Sequence, residues 1–256
     1  MAQLQKAGDV MREIILLRGL FRGSFHWGDF PTTLQHAFPH CSVTCIDIPG
    51  NGELSALTSP MSVAAMVESI RAQRQGKGSV HLLAISMGGM IGLKWAELYP
   101  SEIQSLICIN TSAKGFSPFY ERLLPQNYFK ILKALASKPL ARESAIYQMV
   151  ANQPLDINIV NAWAKYGNEH PMSVGNFLRQ LYAASTFKTV RPQCELHFIS
   201  STQDRLVSCK ASQAIANAWH SPLITNDTDG HDIPLDNPQW LINTISTLWQ
   251  QASTNS

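Results

Sequence analysis

Short uninterrupted apolar runs, several rich in β-branched residues, recur along this chain with helical stretches between them. Ile14-Ile15-Leu16-Leu17 is stopped by Arg18-Gly19, and Ser42 to Ile48 by Pro49-Gly50-Asn51-Gly52. Val80 to Ile85, Ser105 to Asn110, Glu195 to Ile199 and the weaker Pro222 to Thr225 follow. Runs of this length without polar alternation suit strands buried on both faces of a parallel sheet. Between them, Ser62 to Gln75 places Val63, Met66, Val67 and Ile70 at helical spacing, and Gly88 to Leu98 does the same with Ile91, Trp95 and Leu98. Cys209 to Trp219 and Gln239 to Gln250 also read as helices. Strand–helix alternation of this kind predicts an α/β fold, with a mostly parallel central sheet and helices on both faces.

One interval breaks the alternation. From Asn110 to Glu195 there is no good strand, whereas Leu124, Tyr128, Ile131, Leu132 and Leu135 share one helical face. Ile146, Met149 and Val150 form a second stripe, and Val160, Trp163 and Ala164 a third. Ser173 is placed to cap a fourth helix carrying Val174, Phe177, Leu178 and Leu181. An insertion of ~75 residues is too long for one crossover. The expected organisation is a core of residues 1–114 and 189–256, with residues 115–188 inserted as a helical cap over the strand ends.

Composition narrows the function classes. Apolar residues make up 45% and charged residues 15%, so the chain has material for a large core and global disorder is excluded. A formal net charge of +2 gives no electrostatic reason to expect a nucleic-acid partner. The five cysteines contain no Cys-x-x-Cys, an odd set that fits thiols in a reducing compartment. Lys6, Asp9, Arg12 and Glu13 precede the first apolar run, unlike a secretory signal, and no apolar stretch approaches the ~20 residues of a bilayer span. A soluble, cytoplasmic protein without membrane insertion is expected.

The chemistry centres on Ala84-Ile85-Ser86-Met87-Gly88-Gly89, where a strand ends and a helix begins. A turn that exposes a nucleophilic serine there demands small residues two before and two after it, and Ala84 and Gly88 comply. The helix beginning after Ser86 would aim its amides and positive dipole end at a developing oxyanion. His231, in the loop after the last strand, is a candidate base, and Asp204, directly after the fifth strand, a candidate orienter. All three fall at carboxyl ends of strands, where open parallel sheets bind ligands. Each residue also has a bland role: Ser86 as a helix cap, Asp204 as a turn cap, His231 as a polar loop residue. Asp227, Asp229, Asp232 and Asp236 are rival acids, close to His231 in sequence. Asn110, at the other common position for the acid, is not acidic.

Together these pieces resemble the α/β-hydrolase superfamily with a helical cap, from about Ile14 to Gln250. The matching segments are Leu17-Arg18-Gly19-Leu20, His26-Trp27-Gly28, Asp47 to Gly52, Ser86-Met87-Gly88-Gly89, Gln203 to Val207 and Gly230-His231. The resemblance implies a Ser86–His231–Asp204 triad and an oxyanion hole from the backbone N–H groups of Leu20 and Met87. It implies a carboxylesterase or thioesterase that needs no cofactor and acts on a small-molecule acyl substrate. Acyl transfer, carbon–carbon hydrolysis and perhydrolysis use the same triad, and a receptor with vestigial catalysis uses the same fold. Arg18 replaces the family's usual His, either as part of an ion pair or as a contact for an anionic substrate. Only thirteen residues precede Ile14, so one or both strands of the family's first hairpin are expected to be missing. Arg18, Phe21 and Trp27 are candidate pocket residues, although the aromatic residues from 21 to 30 suit a core equally well. Ser185-x-x-Lys188 lacks the companion motifs of a Ser-Lys pair. Cys41-x-x-x-Cys45 lacks the His pair of a zinc site.

Overall fold

A computed structural model of the chain describes residues 12–254 except Lys77. The six strands are β1 (Arg12–Leu17), β2 (Cys41–Cys45), β3 (Val80–Ile85), β4 (Ile103–Ile109), β5 (Glu195–Ser201) and β6 (Leu223–Asn226). They form one sheet in the order β2-β1-β3-β4-β5-β6, and every pairing is parallel. All six follow the apolar runs of the sequence. The expected loss of the first hairpin concerns residues before Arg12, which lie outside the described residues.

Burial on both faces explains why these runs lack polar alternation. Ile15, Leu17, Leu82, Ala84, Leu106, Cys108 and Phe198 pack beneath α2 (Val63–Gln73), α3 (Met87–Leu98) and α9 (Cys209–Trp219). Their neighbours Ile14, Leu16, Leu83, Ile85, Ile107, Ile109 and Ile199 face the opposite way, against α1 (Phe30–Ala37) and α11 (Pro238–Thr254). Adjacent residues of one strand therefore enter two separate cores, as the two-residue period of a strand requires.

Between β4 and β5 the chain forms α4 (Phe119–Arg122), α5 (Tyr128–Leu135), α6 (Pro139–Val150), α7 (Ile157–Glu169) and α8 (Val174–Thr186). No strand of the main sheet falls in this interval among the described residues. Asp156 caps α7 by accepting the Asn158 N–H at 2.8 Å, and Ser173 caps α8 by accepting that of Asn176 at 3.0 Å. Where the chain leaves and re-enters the core, the Lys114 N–H donates to Phe187 O at 2.9 Å. A buried polar cluster ties α8 down. Gln180 Nε2 donates to Asn51 Oδ1 at 2.8 Å and to Ser59 Oγ at 3.0 Å, while its Oε1 accepts the Phe21 N–H at 3.4 Å. A last short helix, α10 (Ile233–Asp236), follows the His231 loop.

Candidate active site

Strand order locates the crevice. From β1 the chain moves outward to β2, then returns to place β3 on the other side of β1. The loops after β1 and β3 diverge there, leaving the cleft in which open α/β sheets hold ligands. Arg18 to Leu20 leave β1 at this point, and Ser86 leaves β3. The two loops nearly touch: a Cβ on Gly19 would lie 2.9 Å from Ser86 Cβ.

Ser86 occupies a conformation that L-residues rarely adopt, with φ 58° and ψ −121°. Its N–H extends the sheet by donating to Ile109 O at 2.8 Å, and its O accepts from the Thr111 hydroxyl at 2.8 Å. It stands directly before α3, yet its hydroxyl caps no helical amide. Gly88 makes the turn possible, because a Cβ there would come within 2.3 Å of Leu17 O and 2.8 Å of Arg18 O. Backbone atoms cannot yield as a flexible side chain can, so the small residue two places after the serine is a steric requirement.

His231 Nδ1 is 2.6 Å from Asp204 Oδ2, and both side chains are buried. A carboxylate can only accept, so Nδ1 carries a proton, and in the neutral ring the lone pair falls on Nε2. Asp204 Oδ1 accepts the N–H groups of Leu206 at 2.7 Å and Val207 at 3.0 Å, which fixes the carboxylate plane. The rival acids are engaged elsewhere. Asp232 takes a bidentate ion pair from Arg18, Asp236 accepts the Gly230 and Asn152 N–H groups, and Asp229 bonds Asn226 and Thr228. Asp227 Oδ1 accepts from the Thr202 hydroxyl.

One cavity joins the pieces. Ser86, Met87 and Leu20 line it together with His231, Arg18 and Phe21. The segment between β4 and β5 supplies Leu123, Ile131, Leu135, Ile146, Met149 and Phe177 to the same wall. Arg18 is at this wall, but its guanidinium is buried and gives both terminal nitrogens to Asp232, leaving only Nε without a partner, so the ion-pair reading of the sequence describes its contacts. Trp27 needs correction as a pocket residue. The turn through Ser24–Trp27 and Gly28, at φ 54°, sends its ring into the core, where it stacks on Phe30 at 5.6 Å. Its face carries the Arg18 guanidinium at 4.7 Å.

Asn110 is polar at the end of a buried strand, with φ 47°. Its Oδ1 accepts the Ser201 N–H at 2.8 Å and its Nδ2 donates to His231 O at 2.8 Å, pinning the histidine loop to β4 and β5. Sequence reading set Asn110 aside because it is not acidic; an amide that both donates and accepts is what this junction uses. Ser185 donates to Tyr182 O within α8. Among the described residues no group of three or more His, Cys, Asp or Glu is arranged to hold a metal ion, and no helix is long and apolar enough to cross a membrane.

Residues 14–238 match the family profile of the α/β hydrolase fold. The chain belongs to that family. This α/β hydrolase is 26% identical over 249 residues to "Putative carbamate hydrolase RutD" of Pseudomonas syringae pv. syringae (strain B728a), covering 88% of each chain. It is 28% identical over 131 residues to a 2-hydroxy-6-oxononadienedioate/2-hydroxy-6-oxononatrienedioate hydrolase of Burkholderia vietnamiensis, covering 49% of this chain and 44% of that one. Among solved structures, one from a study of carboxylesterases of Nitrososphaera gargenis superposes with a TM-score of 0.75 at 14% identity, over 97% of this chain and 93% of that one. That likeness concerns the fold.

Proposed function

We propose that this hydrolase cleaves a small-molecule carboxylic ester or thioester through an acyl-enzyme on Ser86, beneath a cap formed by residues 115–188. The observation that carries the reading is the His231–Asp204 contact of 2.6 Å, in a wall shared with a serine held in a strained turn. Strain that caps nothing and exposes a hydroxyl to a cavity suits a nucleophile.

In the first half-reaction Ser86 Oγ adds to the acyl carbonyl while His231 Nε2 takes its proton. The new O–C bond turns the carbonyl into an oxyanion, which the N–H groups of Leu20 and Met87 receive. Collapse expels the alcohol or thiol, protonated by the imidazolium. Water then adds to the acyl-enzyme with His231 again as base, and the carboxylic acid leaves. Asp204, immobilised by two amides, holds the ring and faces its positive charge. The two sequence relatives, both named as hydrolases, support hydrolysis as the reaction class.

A fluorophosphonate probe followed by peptide mapping tests the nucleophile. Labelling on Ser86, together with loss of about 10⁴-fold or more in kcat in Ser86→Ala, is expected. Absence of labelling, or retention of about a tenth of the activity, would leave the fold as an inert binder or move the nucleophile elsewhere.

A further inference from the structure

The cavity is apolar over most of its wall, yet arginines interrupt it next to the Leu20 loop. Arg22 is only 7% exposed and Glu143 only 2%. Arg22 Nη1 donates to Glu143 Oε2 at 2.7 Å, and Arg142 Nε donates to the other oxygen of the same carboxylate at 3.1 Å. Arg18 is matched by Asp232. Three guanidinium groups therefore share two carboxylates, so positive charge is in surplus here. Arg22 Nη2 is buried and has no hydrogen-bond partner. The Trp163 ring, 4.4 Å away, covers the face of the guanidinium and does not answer the in-plane N–H groups of Nη2. Burial pushes the Arg22 guanidinium below its ordinary range, Glu143 pulls the other way, and Arg18 adds to the lowering. Such a group is costly to leave unpaired. Arg122, also on the wall, is accounted for differently: it gives its N–H groups to the last carbonyls of α8, Ala184 O and Ser185 O.

We propose that Arg22, with Arg142 beside it, binds a carboxylate carried by the substrate, so that the preferred substrates are half-esters of dicarboxylic acids. The surplus of positive charge on this wall favours an anionic group. A planar carboxylate also suits the parallel N–H edges of a guanidinium better than a point charge does. In the sequence Arg18 suits either an ion pair or a contact for an anionic substrate. Asp232 takes both terminal nitrogens of Arg18 and leaves only its Nε without a partner, whereas Arg22 keeps a whole terminal Nη2 unpartnered, which favours Arg22 for the role.

The substrate class rests on the hydrolase reading, but binding can be measured apart from it. Isothermal titration of the intact protein compares monoamides of dicarboxylic acids, from succinamate to suberamate, with plain amides of the same chain lengths. At least one monoamide is expected to bind about tenfold or more tightly than its neutral partner. Arg22→Lys and Arg142→Gln are each expected to reduce that preference. Equal binding across every chain length in the wild-type protein overturns the proposal whatever the variants do, as does a preference that survives both folded variants. Methyl half-esters and neutral methyl esters are then compared for turnover. Turnover of neutral esters without preference for any half-ester refutes the substrate class and keeps the hydrolase. Selective monoamide binding with no turnover of either ester refutes the hydrolase and keeps the anion site.

Discussion

Two aspartates illustrate how burial and partners, rather than residue type, assign a role. Asp204 and Asp232 are both buried, but one faces an imidazole and the other a guanidinium. Asp204→Asn is expected to keep the fold and lose roughly 10³- to 10⁴-fold in kcat, because an amide can present its N–H to Nδ1 and favour the wrong tautomer. Asp232→Asn strands a buried Arg18 and is expected to cost about 3–5 kcal/mol of stability. Urea unfolding and steady-state kinetics on the two variants separate the effects, and a reversed pattern would reassign the acid. His26 supplies a pH prediction. Burial and the nearby Arg22 and Arg18 hold its pKa well below that of an ordinary histidine. As pH falls below ~6.5, the unfolded chain takes up a proton at this residue that the folded protein refuses, so stability is lost on the acid side. His26→Gln removes that contribution. The drop in urea midpoint between neutral and mildly acidic pH is expected to be smaller in the variant than in the wild type.

At the scale of elements, the strands were legible and the ties between them were not. The four inner strands β1, β3, β4 and β5 are largely buried on both faces, so each appeared as a continuous apolar run between turn residues, whereas the edge strands β2 and β6 are only partly buried. α1 was missed because Phe30 to Ala37 mixes Pro31, Thr32 and Thr33 with few apolar positions. Ser86, Asp204 and His231 were legible because each follows the end of a strand-like run. Gln180 gave no signal. It is a polar residue in an amphipathic helix, and its partners Phe21, Asn51 and Ser59 are more than a hundred positions away. The same distance hid the Arg22–Glu143 pair. Gln180 positions the Leu20–Phe21 loop by accepting the Phe21 N–H. Gln180→Leu leaves Asn51 and Ser59 each with one partner fewer and is expected to cost about 2 kcal/mol. A merely structural loss would lower the unfolding midpoint alone. Here kcat should fall as well in the fraction that remains folded, because the amide assigned to the oxyanion precedes Phe21.

For the whole molecule, the interval between β4 and β5 is fastened to the sheet at several separate points. The Lys114–Phe187 bond closes its neck, Gln180 and Asn176 join the loops after β2, and Asn152 bonds Asp236 beyond the histidine. Amides of α8 and of β3 are therefore expected to open together in native-state hydrogen exchange, with the same dependence on denaturant. An α8 that exchanges through a separate, lower-energy opening would refute this. The closed neck also bears on the order of assembly. β4 and β5 are sheet neighbours, yet the chain from Ile109 to Glu195 separates them. Joining the ends of a flexible loop costs roughly 0.6 kcal/mol for each doubling of its length. A helical insert that folds first brings Lys114 to Phe187 and removes most of that loop before the strands meet. Helices with local contacts form faster than distant parallel strands pair. The segment that walls the cavity is thus expected to act as a splint, with β5 and β6, the strands leading to Asp204 and His231, docking after it.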